Sequence, residues 1–268
     1  MRLLPGNAIL SQGEVRLEGI DCSALGEREF RRRVRWRMLS MVFQGALEAL
    51  NPVLRVADQV VEPLLLDATV SRQEARRRAR EALTQLALPA EVGERYPHEL
   101  SGGMKQRAII AMALILNPRL IILDEPTSAL DVIVQAQIMN LLKELKARLG
   151  LSVIFITHDI ALVSDLCHSL GVLYAGRLVE IGPAEAVLLH PQHPYTEGLL
   201  ASLPRLHSQA RPQPIKGAPP DLTRPAPGCP FYPRCPCAID LCQREMPPPF
   251  SVEAGHIVRC WLRRSARG

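Results

Sequence analysis

The 268 residues, 47% hydrophobic and 22% charged, have ordinary globular composition and enough length to bury a sizeable core. Apolar runs such as residues 108–116 stop well short of the ~20 residues a membrane-spanning helix needs, and Met1-Arg2-Leu3-Leu4 meets Pro5-Gly6 without a secretory-signal pattern. The net charge of +5 is carried mostly by arginine, but Glu27, Glu29, Glu74 and Glu81 flank the runs Arg31–Arg33 and Arg76–Arg78, so a solvated helix face is expected rather than a nucleic-acid surface.

In chain order, residues 13–19 alternate polar and apolar as a half-buried strand does, and residues 38–44 read as a strand ending in Gln44. Ser71-Arg72-Gln73-Glu74 has capping-box spacing and opens a helix running to about Leu86. A further helix starts after Ser101 and closes before Pro118. The apolar runs Leu120 to Leu123 and Val153 to Ile156 flank an amphipathic helix from about Val132 to Arg148, and that order predicts a parallel sheet with a crossover helix. Residues 171–183 read as a hairpin turning at Ala175-Gly176. Proline-rich residues 204–228 read as a linker or extended wrap, and the last forty residues hold five of the seven cysteines.

Polar residues end both apolar runs: Asp124-Glu125 and Thr157-His158-Asp159. In open parallel sheets the ligand crevice lies at the carboxyl ends of the strands. Phosphoryl transfer needs a metal to neutralise phosphate charge, a group to orient the attacking water, and donors for the developing charge. Asp124 suits a magnesium ligand, Glu125 a base that orients water, His158 a contact to a terminal phosphate, and Gln44 a contact to metal or water. Ser101-Gly102-Gly103 opens a helix, where backbone N–H groups favour an anion. Each feature alone has a plain structural reading; their order and spacing make coincidence remote.

From Gly13 onward the chain resembles the ATPase subunit of bacterial ABC transporters, specifically the oligopeptide/dipeptide importer class. The resemblance rests on residues 96–104 (Tyr-Pro-His-Glu-Leu-Ser-Gly-Gly-Met), residues 131–138 and His193-Pro194-Tyr195-Thr196. It implies an α/β, P-loop NTPase-like fold with a helical subdomain at about 52–115, a nucleotide-binding domain over 1–190 and a cysteine-rich extension over 191–268. Gln44, Glu125 and His158 are implied as catalytic, and Asp124, Ser101, Gly102, Gly103, Gln106 and Asp131 as nucleotide-binding, with ATP and Mg2+. The implied partners are a second ABC ATPase subunit, identical or not, two transmembrane permease subunits and, indirectly, an extracytoplasmic solute-binding protein; no nucleic acid is expected. The implied location is peripheral, on the cytoplasmic face of the plasma membrane. Gly45-Ala46 follow Gln44 where the family often has Asp-Pro, in the segment by which the family docks its permeases.

No Gly-x-x-x-x-Gly-Lys-Ser/Thr sequence occurs in the 268 residues, so the domain is expected to be truncated at its amino terminus. Without that loop the β- and γ-phosphates lose their cradle, and strand neighbours lose hydrogen bonds at about 0.5–1.5 kcal/mol net each. The chain alone is therefore expected to bind ATP poorly. The alternatives are a non-catalytic partner that contributes only its signature segment, and a soluble ABC ATPase acting on DNA or the ribosome.

The tail reads Cys229-x5-Cys235-x6-Cys242-x17-Cys260, with Cys237 as an extra. Disulfides are disfavoured in a cytoplasmic protein, which leaves a metal site or plain thiols, and structural zinc usually shows Cys-x(2–4)-Cys pairs that this spacing lacks. Similarity to peptide-importer ATPases implies a [4Fe-4S] cluster on Cys229, Cys235, Cys242 and Cys260.

Overall fold

The structure, a computed structural model, describes residues 1–65, 70–164, 166–203, 213–224 and 227–264. Much of the expected linker at 204–228 lies outside those residues. The chain forms two compact units, Met1–Asp159 and Ile160–Gly268.

The first unit opens with a two-strand ribbon, β1 (Arg16–Leu17) and β2 (Ile20–Asp21), paired antiparallel. The alternation over 13–19 predicts one strand; the chain instead reverses at Glu18-Gly19, whose φ angles of 47° and 79° are those of a two-residue hairpin turn. Helix α1 (Glu27–Arg33) follows, acidic in its first turn and basic in its last, as the helix dipole favours. Then come β3 (Leu39–Val42), the short helices α2 (Val56–Val60) and α3 (Glu62–Leu65), α4 (Arg72–Gln85) and α5 (Gly102–Leu114). Helix α4 starts where the capping signal predicts, the Ser71 hydroxyl accepting from the Glu74 amide at 3.2 Å. Its arginines are laced to Glu74 and Glu81, as on a solvated face.

Strand β4 (Leu120–Asp124), helix α6 (Val132–Leu149) and strand β5 (Ser152–Ile156) complete the predicted crossover unit. Helix α6 is capped by Asp131 and stopped by Gly150, which takes the left-handed conformation at φ 59°. The sheet order is β3–β4–β5, all parallel, with Val42 beside Leu123 and Leu123 beside Phe155. One face buries Ser40, Val42, Ile121 and Leu123. The other packs Leu39, Leu120 and Ile122 against Cys22, Phe30 and Val34. Strand β5 has no further strand partner among the described residues, and its Ile154 and Ile156 remain 47% and 45% exposed.

The second unit is built on an antiparallel sheet of order β6–β7–β9–β8: β6 (Ser169–Tyr174), β7 (Arg177–Pro183), β8 (Phe250–Glu253) and β9 (His256–Val258). Helices α7 (Ala184–Leu189), α8 (Pro194–Ala201) and α9 (Asp240–Arg244) lie between β7 and β8 in the chain. The β6–β7 hairpin turns at Ala175-Gly176, as the sequence predicts. The expected domain boundary at 190/191 differs from the 159/160 division of the compact units, because Glu180 and Ile181 of β7 pair with Val258 and Ile257 of β9. Phe231 packs edge to face on Tyr174 and Tyr195, which lie tilted against each other in this unit's core. The Arg234 guanidinium donates to the carbonyls of Ile215 and Lys216 and to the Tyr174 hydroxyl, tying the segment before the cysteines to the sheet.

Candidate functional site

In the first unit, the carboxyl ends of the three parallel strands bring Gln44, Glu125 and His158 together. Gln44 Nε2 donates to Glu125 Oε2 at 3.0 Å, and His158 Nδ1 meets Glu125 Oε1 at 2.9 Å. The Glu125 side chain is 21% exposed and that of His158 78% exposed, so water reaches both. Hydrogen bonding to Glu125, and then its charge, raises the His158 pKa above its ordinary value. The Glu125 backbone sits at φ 46°, a left-handed conformation that non-glycine residues seldom take. Its amide donates to Ile156 O at 2.9 Å and its carbonyl accepts from the Ser128 hydroxyl at 2.9 Å. These bonds fix the turn that aims the carboxylate. Asp124 is the last residue of β4, half-buried beside it.

Ser101, Gly102 and Gly103 form the start of α5. The Ser101 hydroxyl caps it, accepting from the Met104 amide at 3.4 Å. The packing is close at both glycines and closest at Gly103. A Cβ at Gly103 would lie 2.6 Å from Val134 Cγ1, and one at Gly102 3.2 Å from Leu130. The start of α5 therefore lies against the segment capped by Asp131, whose carboxylate accepts from the Val134 amide at 2.9 Å. Gln106 is buried, with its Nε2 unpartnered among the described residues. No hydrogen bond is found between this Ser101 segment and the Glu125 cluster among the described residues.

Of the parts phosphoryl transfer needs, these residues fit the metal, the water and the terminal phosphate: carboxylates at a strand end, an amide and an imidazole around them. A Gly-Lys-Ser/Thr cradle for the inner phosphates has no counterpart in the sequence.

In the second unit one small pocket is lined by Cys229, Cys235, Cys237, Cys242 and Cys260, closed by Phe231 and Trp261. None of the five is in a disulfide. Backbone amides near three of the thiols favour their charged form: those of Phe231 and Tyr232 for Cys229, of Cys237 for Cys235 and of Leu262 for Cys260. Burial pushes these thiols up, Cys235 to about 11, and the amides work against it. Among the described residues no three His, Cys, Asp or Glu side chains converge closely enough for a single metal ion.

The second unit also holds a polar network absent from the sequence reading. Glu180, its side chain fully buried, accepts from the Gln192 amide at 2.7 Å, the His193 amide at 2.9 Å and His256 Nε2 at 2.8 Å. Gly182 makes room for the His256 ring, which would stand 2.8 Å from a Cβ there. His193 in turn caps α8, accepting from the Tyr195 amide at 3.0 Å. The one sequence signal for this network is the His193-Pro194 cap.

Similarity to known proteins agrees with this geometry. Residues 1–128 match the ABC transporter family and residues 179–242 the oligopeptide/dipeptide transporter C-terminal region. The chain is 44% identical over 264 residues to the dipeptide transport ATP-binding protein DppD of Bacillus subtilis (strain 168), covering 97% of this chain and 78% of that one. It is 42% identical over 267 residues to the oligopeptide transport ATP-binding protein OppD of the same organism, covering 98% and 74%. Among solved structures it resembles the dimeric bacterial ABC transporter cassette MJ0796, with TM-score 0.58 and 33% identity over 65% of this chain and 74% of that one. CbiO1 from Clostridium perfringens, part of the ABC transporter complex cbiONQ, is similar at TM-score 0.60 and 28% identity, over 67% and 69%. The fold of the first unit is thus that of the ABC ATPase, and the chain belongs to the ATP-binding subunits of oligopeptide/dipeptide ABC transporters, a family of ATPases.

Proposed function

We propose that this subunit energises import of peptides or related solutes by hydrolysing ATP as one of a pair of ATPase subunits bound to two permease subunits at the inner face of the plasma membrane. A solute-binding protein outside would deliver the cargo. The observation that carries the reading is the convergence of Gln44 and His158 on Glu125 at the strand ends. Glu125 orients the attacking water and accepts its proton. Gln44 and His158 hold the carboxylate until nucleotide arrives, then turn to metal and terminal phosphate. Asp124 would hold Mg2+, which neutralises phosphate charge when bound. Ser101, Gly102, Gly103, Gln106 and Asp131 form the face presented to nucleotide on the partner subunit. Exposed Val132 and Ile133 beside Asp131 support an interface there, and exposed Val53 and Leu54 support docking to the permeases. No helix among the described residues is long and apolar enough to cross a membrane, so the energised step requires those permeases.

The 268-residue chain alone binds ATP weakly in this reading, because no Gly-rich loop and lysine cradle the phosphates. A thermal-shift titration with Mg-ATP checks this; stabilisation by about 2.7 kcal/mol or more at 100 µM nucleotide, the value for a micromolar site, would refute it. The pocket cysteines Cys229, Cys235, Cys242 and Cys260 would hold a [4Fe-4S] cluster, a reading supported by the all-sulfur lining of the pocket. The functional test is peptide uptake by vesicles holding this subunit, its partner ATPase and the permeases. Uptake that needs ATP and this subunit supports the proposal; uptake unchanged without the subunit ends it.

A further inference from the structure

Residues 51–54 form a loop in the first unit whose tip is apolar and outside: Val53 is 75% and Leu54 40% exposed. One buried side chain holds that loop from beneath. Gln59, on α2 and itself 3% exposed, accepts from the Asn51 amide at 2.7 Å and donates through Nε2 to the carbonyls of Asn51 and Leu54, both at 3.0 Å. Asn51 closes the loop from within, its Oδ1 accepting from the Val53 amide at 3.1 Å. A buried amide group is costly unless it is bonded, so loop and Gln59 fix each other. Arg55 ties the far end of the loop to chain 39 residues on: its guanidinium donates to Glu94 O at 3.1 Å and to Glu94 Oε2 at 3.0 Å. The next amide, that of Val56, donates to Arg95 O at 3.0 Å. From there the Tyr96 amide donates to Glu99 Oε2 at 2.7 Å, and two residues later Ser101 caps α5. Helix α2 also packs directly on α5.

We propose that Gln59 and Arg55 are positioning residues that make the Val53-Leu54 tip, α2 and the approach to Ser101 move as one piece, so that a displacement of the tip reaches the start of α5. The inference rests on the reading above that Val53 and Leu54 meet the permeases and that Ser101 faces nucleotide on the partner subunit. A surface loop bonded mainly to water moves on its own. This one is bonded to the fold at Asn51, Leu54, Arg55 and Val56, on both sides of its tip. The same role accounts for a glutamine buried among Val56, Ala57 and Val60 on a short helix. An apolar side chain would fill that place and release the loop. The exposed Arg55–Glu94 pair adds little stability of its own, and what it fixes is the direction in which the loop leaves α2.

The test compares this subunit and its partner ATPase, free and bound to saturating permeases, by hydrogen exchange of the amides over residues 96–104. In wild type, permease binding is expected to shift those exchange rates by about 2–30-fold, the span of coupling effects carried along packed routes. Gln59→Met keeps the length of the side chain and none of its bonds to the loop. It is expected to lose most of the shift while still bound, with ATP turnover of the assembled complex falling by a similar factor. Arg55→Met, a surface change that leaves the core intact, is expected to lose part of the shift, and it decides the matter if the Gln59 variant does not fold. A glutamine with a structural role alone would lower the denaturation midpoint and leave the permease-dependent shift whole. Full wild-type shifts in both variants, or no shift in wild type bound to permeases, overturn the inference and leave the docking reading intact. A Val53→Asp/Leu54→Asp subunit that still binds permeases and still shows the shift overturns both.

Discussion

Two glutamates hold histidines at nearly equal distances, Glu125 with His158 at 2.9 Å and Glu180 with His256 at 2.8 Å, in opposite surroundings. Around Glu125 the partners are side chains on loop ends, and His158 is 78% exposed. Around Glu180 nothing is exposed: the carboxylate and His256 are 0% and 2% accessible, and two of its three donors are backbone amides. Side-chain partners can swing away; amides inside a fold cannot. The first arrangement leaves a carboxylate free to exchange an imidazole and an amide for water and phosphate. The second spends its carboxylate on joining β7, the start of α8 and β9 into one unit. Distance alone does not separate a site from a scaffold; burial and the kind of donor do.

The largest effect expected from this contrast is on stability. Glu180→Ala strands His256 and two amides without an acceptor in a dry interior, and about 3–5 kcal/mol should be lost. Chemical denaturation followed by the fluorescence of Trp261, which sits in the same unit, reads it. A loss below about 1 kcal/mol would mean that water reaches the network.

Acid gives the next effect. Burial lowers the pKa of His193 from 6.5 to about 4, opposed by the charge of Glu180 and a backbone bond to Arg259. A folded pKa below the unfolded one means that the unfolded chain binds more protons between them. The stability is complete above pH 6.5 and falls as the pH drops toward 4, by about 3 kcal/mol in all. Denaturation midpoints at pH 7 and pH 4.5 should therefore differ in wild type and converge in His193→Asn, which retains a cap for α8. Equal pH slopes in the two proteins would contradict the assignment.

The smallest effect belongs to His158, whose pKa Glu125 raises. Here the sign reverses: the contact contributes in full below the ordinary histidine pKa and is lost as pH rises through the raised one. Because the ring is exposed, stability should barely change. NMR titration should show a His158 midpoint above the usual value that returns to it in Glu125→Gln.

The sequence carries these two regions unequally. Asp124-Glu125 and Thr157-His158-Asp159 stand out because they interrupt apolar runs at strand ends, and Gln44 closes a third such run. Helix starts at Ser71 and Ser101 are legible because capping is local chemistry. Glu180 is hidden. It lies inside a strand where a polar residue reads as solvent-facing, and its histidine is 76 residues away, across proline-rich chain with no pairing signal. For the same reason the β7–β9 pairing, and with it the division of the chain at 159/160, leaves no mark on local pattern. The β1–β2 turn is missed because alternation continues through Glu18-Gly19.

ATP turnover of the assembled transporter carrying Glu125→Gln tests the central claim most directly. The change keeps size and hydrogen bonding but removes the base, so turnover should fall about 10²–10⁴-fold with the unfolding midpoint unchanged. Turnover within about twofold of wild type would contradict the account, and hydrolysis would then belong to the partner subunit alone.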